Sequence, residues 1–213
     1  MRDLLQMAPL LFAQTAAALV RSELRWEFLN IAAATALLCI ANAAIALFLF
    51  RRKTRDLTLI YFGLFCSLYA IRLLTDMRFF RSLFDEPRAF WTYLNWVITC
   101  TILIPFGLFF YQLGGDYLRK RFRWLLAVQM LFAVFGISAA ALGVKLAYLS
   151  IANSILVLVT CVLTVVFLLA DRWRAEPHGR TNHEMLVFIV GLFVWFLFIA
   201  QANLFGPETC IWE

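Results

Sequence analysis

Phe28–Phe50 reads FLNIAAATALLCIANAAIALFLF, a run with no formal charge in which only Asn30, Thr35 and Asn42 are clearly polar. As a helix rising about 1.5 Å per residue it reaches about 34 Å, enough to cross a hydrocarbon core of roughly 30 Å with some tilt. Arg51, Arg52, Lys53 and Arg55 follow at once, and Trp26 stands just before the run beside Arg25 and Glu27. Basic residues next to a span stay on the cytoplasmic side and tryptophan prefers the interface, so this helix is expected to enter from outside and leave inside.

Working outward, the same texture repeats. The chain is 64% hydrophobic and 15% charged, against about half and a quarter for a soluble domain. The expected fold class is all-α, a polytopic bundle with six transmembrane helices at about 28–50, 57–75, 91–113, 124–143, 146–170 and 185–204. Residues 27–213 form the membrane domain, and 1–26 an N-terminal element on the outer side. Within that element Leu4–Val20 is short for a span and interrupted by Gln6, Gln14 and Thr15, which favours a helix lying in the outer interface. A seventh transmembrane helix and a cleaved signal peptide are the alternatives.

The net charge of +6 is distributed as a membrane topology requires. Eleven of the nineteen Lys and Arg fall in three inner turns, around Lys53, Lys120 and Arg174. Seven lie outside and Arg72 lies within a span, while acids number five inside and eight outside. The positive charge therefore marks cytoplasmic loops of a multi-pass membrane protein, and nucleic acid is not an expected partner. Outside, Met77, Phe80, Leu83 and Phe84 recur at helical spacing against Arg78, Arg81 and Asp85, predicting a short surface helix that Pro87 ends. Trp91, Tyr93 and Trp96 form an aromatic belt at the mouth of the third span.

No Asp, Glu, Lys or His falls in the middle of a predicted span. Ion pumps and proton relays need such groups at depth, so a proton-coupled carrier is disfavoured. The two histidines, His178 and His183, share one inner loop with Glu184. Their spacing lacks the paired cysteines or the HExxH pattern of a zinc site, so a solvated connector is expected there, with no catalytic residue, metal or cofactor. Cys39, Cys66, Cys100 and Cys161 sit in apolar runs as small hydrophobes.

What the spans offer is packing surface. Ala32, Ala36, Cys39 and Ala43 recur at helical spacing in the first span with Asn42 beside them, and Gly136, Ala140 and Gly143 do the same in the fourth. Small residues let backbones approach closely, so these two stripes are the expected helix-packing faces, and a second copy of the chain is a candidate partner besides the lipid bilayer. Arg72, expected to pair with Asp76 one turn on, joins Asn95, Gln201 and Asn203 near the outer half as candidates for a small outward-facing pocket.

The run TLIYFGLFCSLYAIRLLTD, the basic turn before it and a third span ending IPFGLFFYQL resemble the bacterial seven-transmembrane receptors with diverse intracellular signalling modules, the 7TMR-DISM family. The likeness covers about Phe28 to Ile211 and rests on hydrophobic texture and aromatic placement. It implies a non-enzymatic sensor that passes an outer or membrane cue to a cytoplasmic histidine kinase, nucleotide cyclase or phosphatase. The family's last helix and output domain would then be expected beyond Glu213. A small channel or uncoupled transporter lined by Asn, Gln, Ser and Thr is the alternative.

Overall fold

The computed structural model describes the backbone of residues 2–50, 57–84, 87–114 and 116–175. Seven helices account for nearly all of it: α1 (Arg2–Phe50), α2 (Thr58–Asp76), α3 (Arg78–Ser82), α4 (Arg88–Thr101), α5 (Leu103–Leu113), α6 (Asp116–Ala141) and α7 (Leu146–Ala175). Among the described residues there is no strand, and five helical stretches are long and apolar enough to cross a membrane: Leu24–Phe50, Thr58–Asp76, Ala89–Leu113, Leu118–Ala141 and Leu146–Asp171. The chain is an all-α, multi-pass membrane bundle. The sixth expected span at 185–204 and the histidine loop with Glu184 lie outside the described residues.

Three boundaries differ from those expected. The segment set apart at residues 1–26 is continuous with the first span, because α1 runs unbroken for 49 residues. Nothing in Arg21–Glu27 stops a helix: it holds neither Gly nor Pro, and its Leu, Glu and Arg are good helix formers. The fourth helix starts at Asp116, so Arg119, Lys120, Arg121 and Arg123 stand on its first two turns rather than in a loop. There they face outward while Leu118 and Phe122, on the same turns, are buried. Pro87 does not end the outer surface helix, which stops at Ser82; it occupies the cap position before α4.

The third span is two helices, α4 and α5, meeting at Ile102. Pro105 explains the joint. It has no N–H to give the Thr101 carbonyl one turn back, and its ring crowds that carbonyl. Gly143 shapes the turn between α6 and α7. With φ +85° it lets Val144 N–H reach the Ala139 carbonyl at 3.0 Å while its own N–H donates to Ala140 at 3.1 Å. That pair of bonds is the Schellman closure of a helix end, in which glycine takes the left-handed position.

Each span packs chiefly on its neighbour in sequence: α1 on α2, α2 on α5, α5 on α6 and α6 on α7, with α4 also against α2 and α6. A chain of rings links α2, α5, α6 and α7. Phe65 of α2 meets Phe106 at 5.4 Å, Phe106 meets Phe110 at 4.8 Å, Phe110 stacks on Phe122 of α6 at 5.5 Å, and Phe122 meets Phe167 of α7 at 6.0 Å. Lipid solvates apolar side chains as well as protein does, so close fit holds these spans together more than water exclusion.

The face that α1 uses is not the expected one. Ala34, Ala41 and Ala44 are buried against α2, whereas Ala32, Ala36, Cys39, Asn42 and Ala43 are exposed. A helix that is apolar and small all round has no intrinsic preference between faces, and the opposing surface decides. Gly63 of α2 supplies that surface: a Cβ there would lie 2.9 Å from Ile45 and 3.2 Å from the Ala41 carbonyl. In α6, Gly136 is buried under Trp96, whose indole N–H donates to the Gly136 carbonyl at 3.1 Å, and Ala140 packs in the same cluster. Gly143 is not part of that packing face; it is an exposed turn residue, and a Cβ there would meet nothing within 4 Å.

Candidate functional site

Among the described residues, polar side chains gather in two places, one mid-span and one at the C-terminal end of α2. Among the described residues the buried polar ones are Thr75, Thr99, Gln129, Asn153, Thr160 and Thr164, all uncharged. On α7, Asn153, Thr160 and Thr164 are separated by seven and four residues and so share one face. They turn inward, beside Val157, Cys161 and Leu168 on the same stripe.

Gln129 stands at the middle of the Leu118–Ala141 span and is 1% exposed. Its amide N–H donates to the Thr160 hydroxyl at 3.3 Å, and Thr164 in turn donates to the Thr160 carbonyl at 2.8 Å. The Gln129 carbonyl oxygen is buried without a partner, as is that of Asn153. Gly107 of α5 makes room for the amide, since a Cβ there would come within 2.9 Å of the Gln129 oxygen and 2.7 Å of Leu126. Two acceptors with nothing to accept mark this seam as polar but incompletely satisfied.

At the C-terminal end of α2 its last residue, Asp76, ties three elements together. Its carboxylate accepts from the Asn95 side-chain N–H of α4 at 2.6 Å and lies 3.6 Å from the Arg81 guanidinium of α3. Arg81 also donates from Nε to the Thr75 carbonyl at 2.5 Å, and Thr75 donates to the Arg72 carbonyl at 2.8 Å. A guanidinium that meets both a carboxylate and a freed helix-end carbonyl clamps α3 onto α2. Phe80 and Phe84 lie against Trp91 of α4 at 5.8 and 5.6 Å, and Phe90 at 5.5 Å.

Of the four expected pocket residues, Arg72 and Asn95 stand on the contacting helices α2 and α4 of this cluster, while Gln201 and Asn203 lie outside the described residues. Asp76 is engaged by Arg81 and Asn95, five residues on and on another helix, contacts that the one-turn pairing rule does not supply. Trp91 was legible only as a belt residue, yet it is 5% exposed and its indole N–H has no partner. Thr160 and Thr164 carry a signal that spacing does contain, two hydroxyls one turn apart on the face of Asn153. No family model, curated protein or solved structure matches the chain.

Proposed function

We propose that the chain is a signal-input module of the bacterial inner membrane, with its basic turns cytoplasmic, in which an outer or membrane cue changes how the spans pack. The observation that carries this reading is the Asp76 clamp. One carboxylate at the outer end of α2 holds both a surface helix and the head of the third span. A cue that competes for Asp76, Arg81 or Asn95 would favour a second packing, to the extent that it binds the two states unequally. The kinship implied by the 7TMR-DISM likeness points the same way, with a cytoplasmic kinase, cyclase or phosphatase as receiver.

The test is the distance between exposed inner-end positions Leu57 and Arg119, spin-labelled in a background without native cysteines and measured in lipid nanodiscs. Asp76→Asn removes the charge that holds Arg81 and is expected to shift or broaden that distribution. Identical distributions in the wild type and the variant would sink the proposal.

A second reading, a small channel or uncoupled transporter, has its own support in the polar face of α7 and its contact with Gln129. Liposome flux of a small solute that disappears on changing Asn153 or Gln129 would favour it over the first.

A further inference from the structure

Trp91 and Asn95 are one turn apart on α4 and therefore project from the same face. Each carries one buried polar atom with no partner: the indole N–H of Trp91, a donor, and the side-chain carbonyl oxygen of Asn95, an acceptor. The amide orientation of Asn95 is fixed by its other end, which donates to the Asp76 carboxylate at 2.6 Å. An orphan donor one turn from an orphan acceptor on the same helix face is the complement of a molecule that presents both an acceptor and a donor. Leaving both unmet is costly, because each has lost its water and gained no hydrogen bond.

The surroundings narrow the class. Phe80, Phe84 and Phe90 lie around the Trp91 ring. The charge that meets Asn95, the Asp76 carboxylate, is already engaged by Asn95 and Arg81. An apolar aromatic wall with one donor and one acceptor suits a small uncharged molecule carrying an amide group. Two of the covering rings belong to α3 and the turn after it, and α3 is held down by Arg81 on the Thr75 carbonyl and Asp76.

We infer that Trp91 and Asn95 form a binding point for a small neutral amide, covered by α3 as a lid whose latch is Arg81. The amide carbonyl accepts from the Trp91 indole and the amide N–H donates to Asn95, while release of Arg81 lets the lid rise. Because the lidded state is closed to ligand, apparent affinity falls with the fraction of molecules that are open. The site would supply the cue for the signal-input reading, but its occupancy can be measured independently of signalling.

The experiment follows the Trp91 indole N–H resonance in the full chain, 15N-labelled in nanodiscs and assigned by its loss in Trp91→Phe. Acetamide, with both donor and acceptor, is expected to shift that resonance saturably. Acetone, with the acceptor alone, is expected to bind at least tenfold more weakly. Asn95→Leu should abolish the acetamide response, and Arg81→Gln, which loosens the latch, should tighten it about three- to tenfold. Equal responses to acetone and acetamide, a linear response without saturation, or an Arg81→Gln protein that binds no better than wild type would each overturn the assignment. Arg81 is only part-buried, so its variant keeps the question answerable should Asn95→Leu fail to fold. Saturable acetamide binding alongside unchanged inner-end distances would retain the site and remove the signalling role. Changed distances in Asp76→Asn without acetamide binding would do the reverse.

Discussion

Replacing Gln129 by Met is expected to stabilise the bundle, although it deletes the hydrogen bond that joins α6 to α7 mid-span. The amide makes one bond, to Thr160 at 3.3 Å, longer than the usual N–H···O distance of about 2.9–3.0 Å. Interhelical bonds of this kind in membrane bundles contribute about 0.6 kcal/mol on average. Against this stands the Gln129 carbonyl oxygen, buried and unpartnered, for which the lost solvation costs about 1–3 kcal/mol. Methionine is unbranched, similar in length and adaptable, so it fills the space beside Gly107 without leaving a cavity. The freed Thr160 hydroxyl can turn to the carbonyl one turn back along its own helix. The balance favours the variant by roughly 0.5–2 kcal/mol, the larger figure being a factor of about 30 in the folded-to-unfolded ratio. Reversible unfolding by SDS mole fraction in mixed micelles, followed by helical circular dichroism, measures it. Thr160→Val, which removes the same bond but leaves the amide in place with both ends unmet, should destabilise by about 1–3 kcal/mol. A Gln129→Met protein that is less stable than wild type by about 1 kcal/mol or more would refute this reasoning, because the oxygen would then have to be making a strong interaction.

Gly107→Val should destabilise by about 1–3 kcal/mol in the same assay, since its Cβ would stand 2.7 Å from Leu126 and its branches have no free space between α5 and α6. Gly143→Ala should cost about 1–2 kcal/mol through backbone alone, as the φ of +85° is unfavourable for any Cβ while no atom lies within 4 Å to clash. Pro105→Ala restores an N–H able to bond the Thr101 carbonyl. It should straighten the third span, seen as a longer spin-label distance between Tyr93 and Leu113, and an unchanged distance would place the cause of the joint elsewhere.

The existence of the spans was legible because hydropathy and helix length are properties of the chain alone. The way they face one another was not. In α1 the stripe through Ala32, Ala36, Cys39 and Ala43 and the stripe through Ala34, Ala41 and Ala44 are both small and apolar, and only the groove at Gly63, on another helix, separates them. The joint at Ile102 was present in the sequence as Pro105, but proline within an apolar run is common in membrane helices and does not alone say that a helix divides. At the outer end the local rule reached from Arg72 to Asp76, whereas the contacts to Arg81 and Asn95 depend on how α3 folds back and where α4 begins. Trp91 illustrates the same limit. Its type and position place it in the interfacial belt, and only burial by Phe80 and Phe84 turns its N–H into an unmet donor.

The third span meets both polar regions. Its first half, α4, carries Trp91 and Asn95 and is held to α2 through Asp76; its second half, α5, places Gly107 against Gln129 and continues the ring contacts through Phe106 and Phe110. Between them the helix is jointed at Ile102, where Pro105 leaves the Thr101 carbonyl without its usual partner. A jointed helix can tilt its α4 half while its α5 half stays in the ring stack, so breaking the Asp76 contacts, as in Asp76→Asn, need not unpack Phe110 from Phe122. The tilt would instead be felt at the joint and at the Gly107–Gln129 contact just beyond it, where the unpartnered oxygen is available to gain a hydrogen bond in another arrangement. Close packing makes the α5 half resist graded deformation, whereas the seam at Gln129 beside it is incompletely satisfied. One span, jointed beside one proline, thus carries both the Asn95 contact to Asp76 and the close approach of Gly107 to the Gln129 amide.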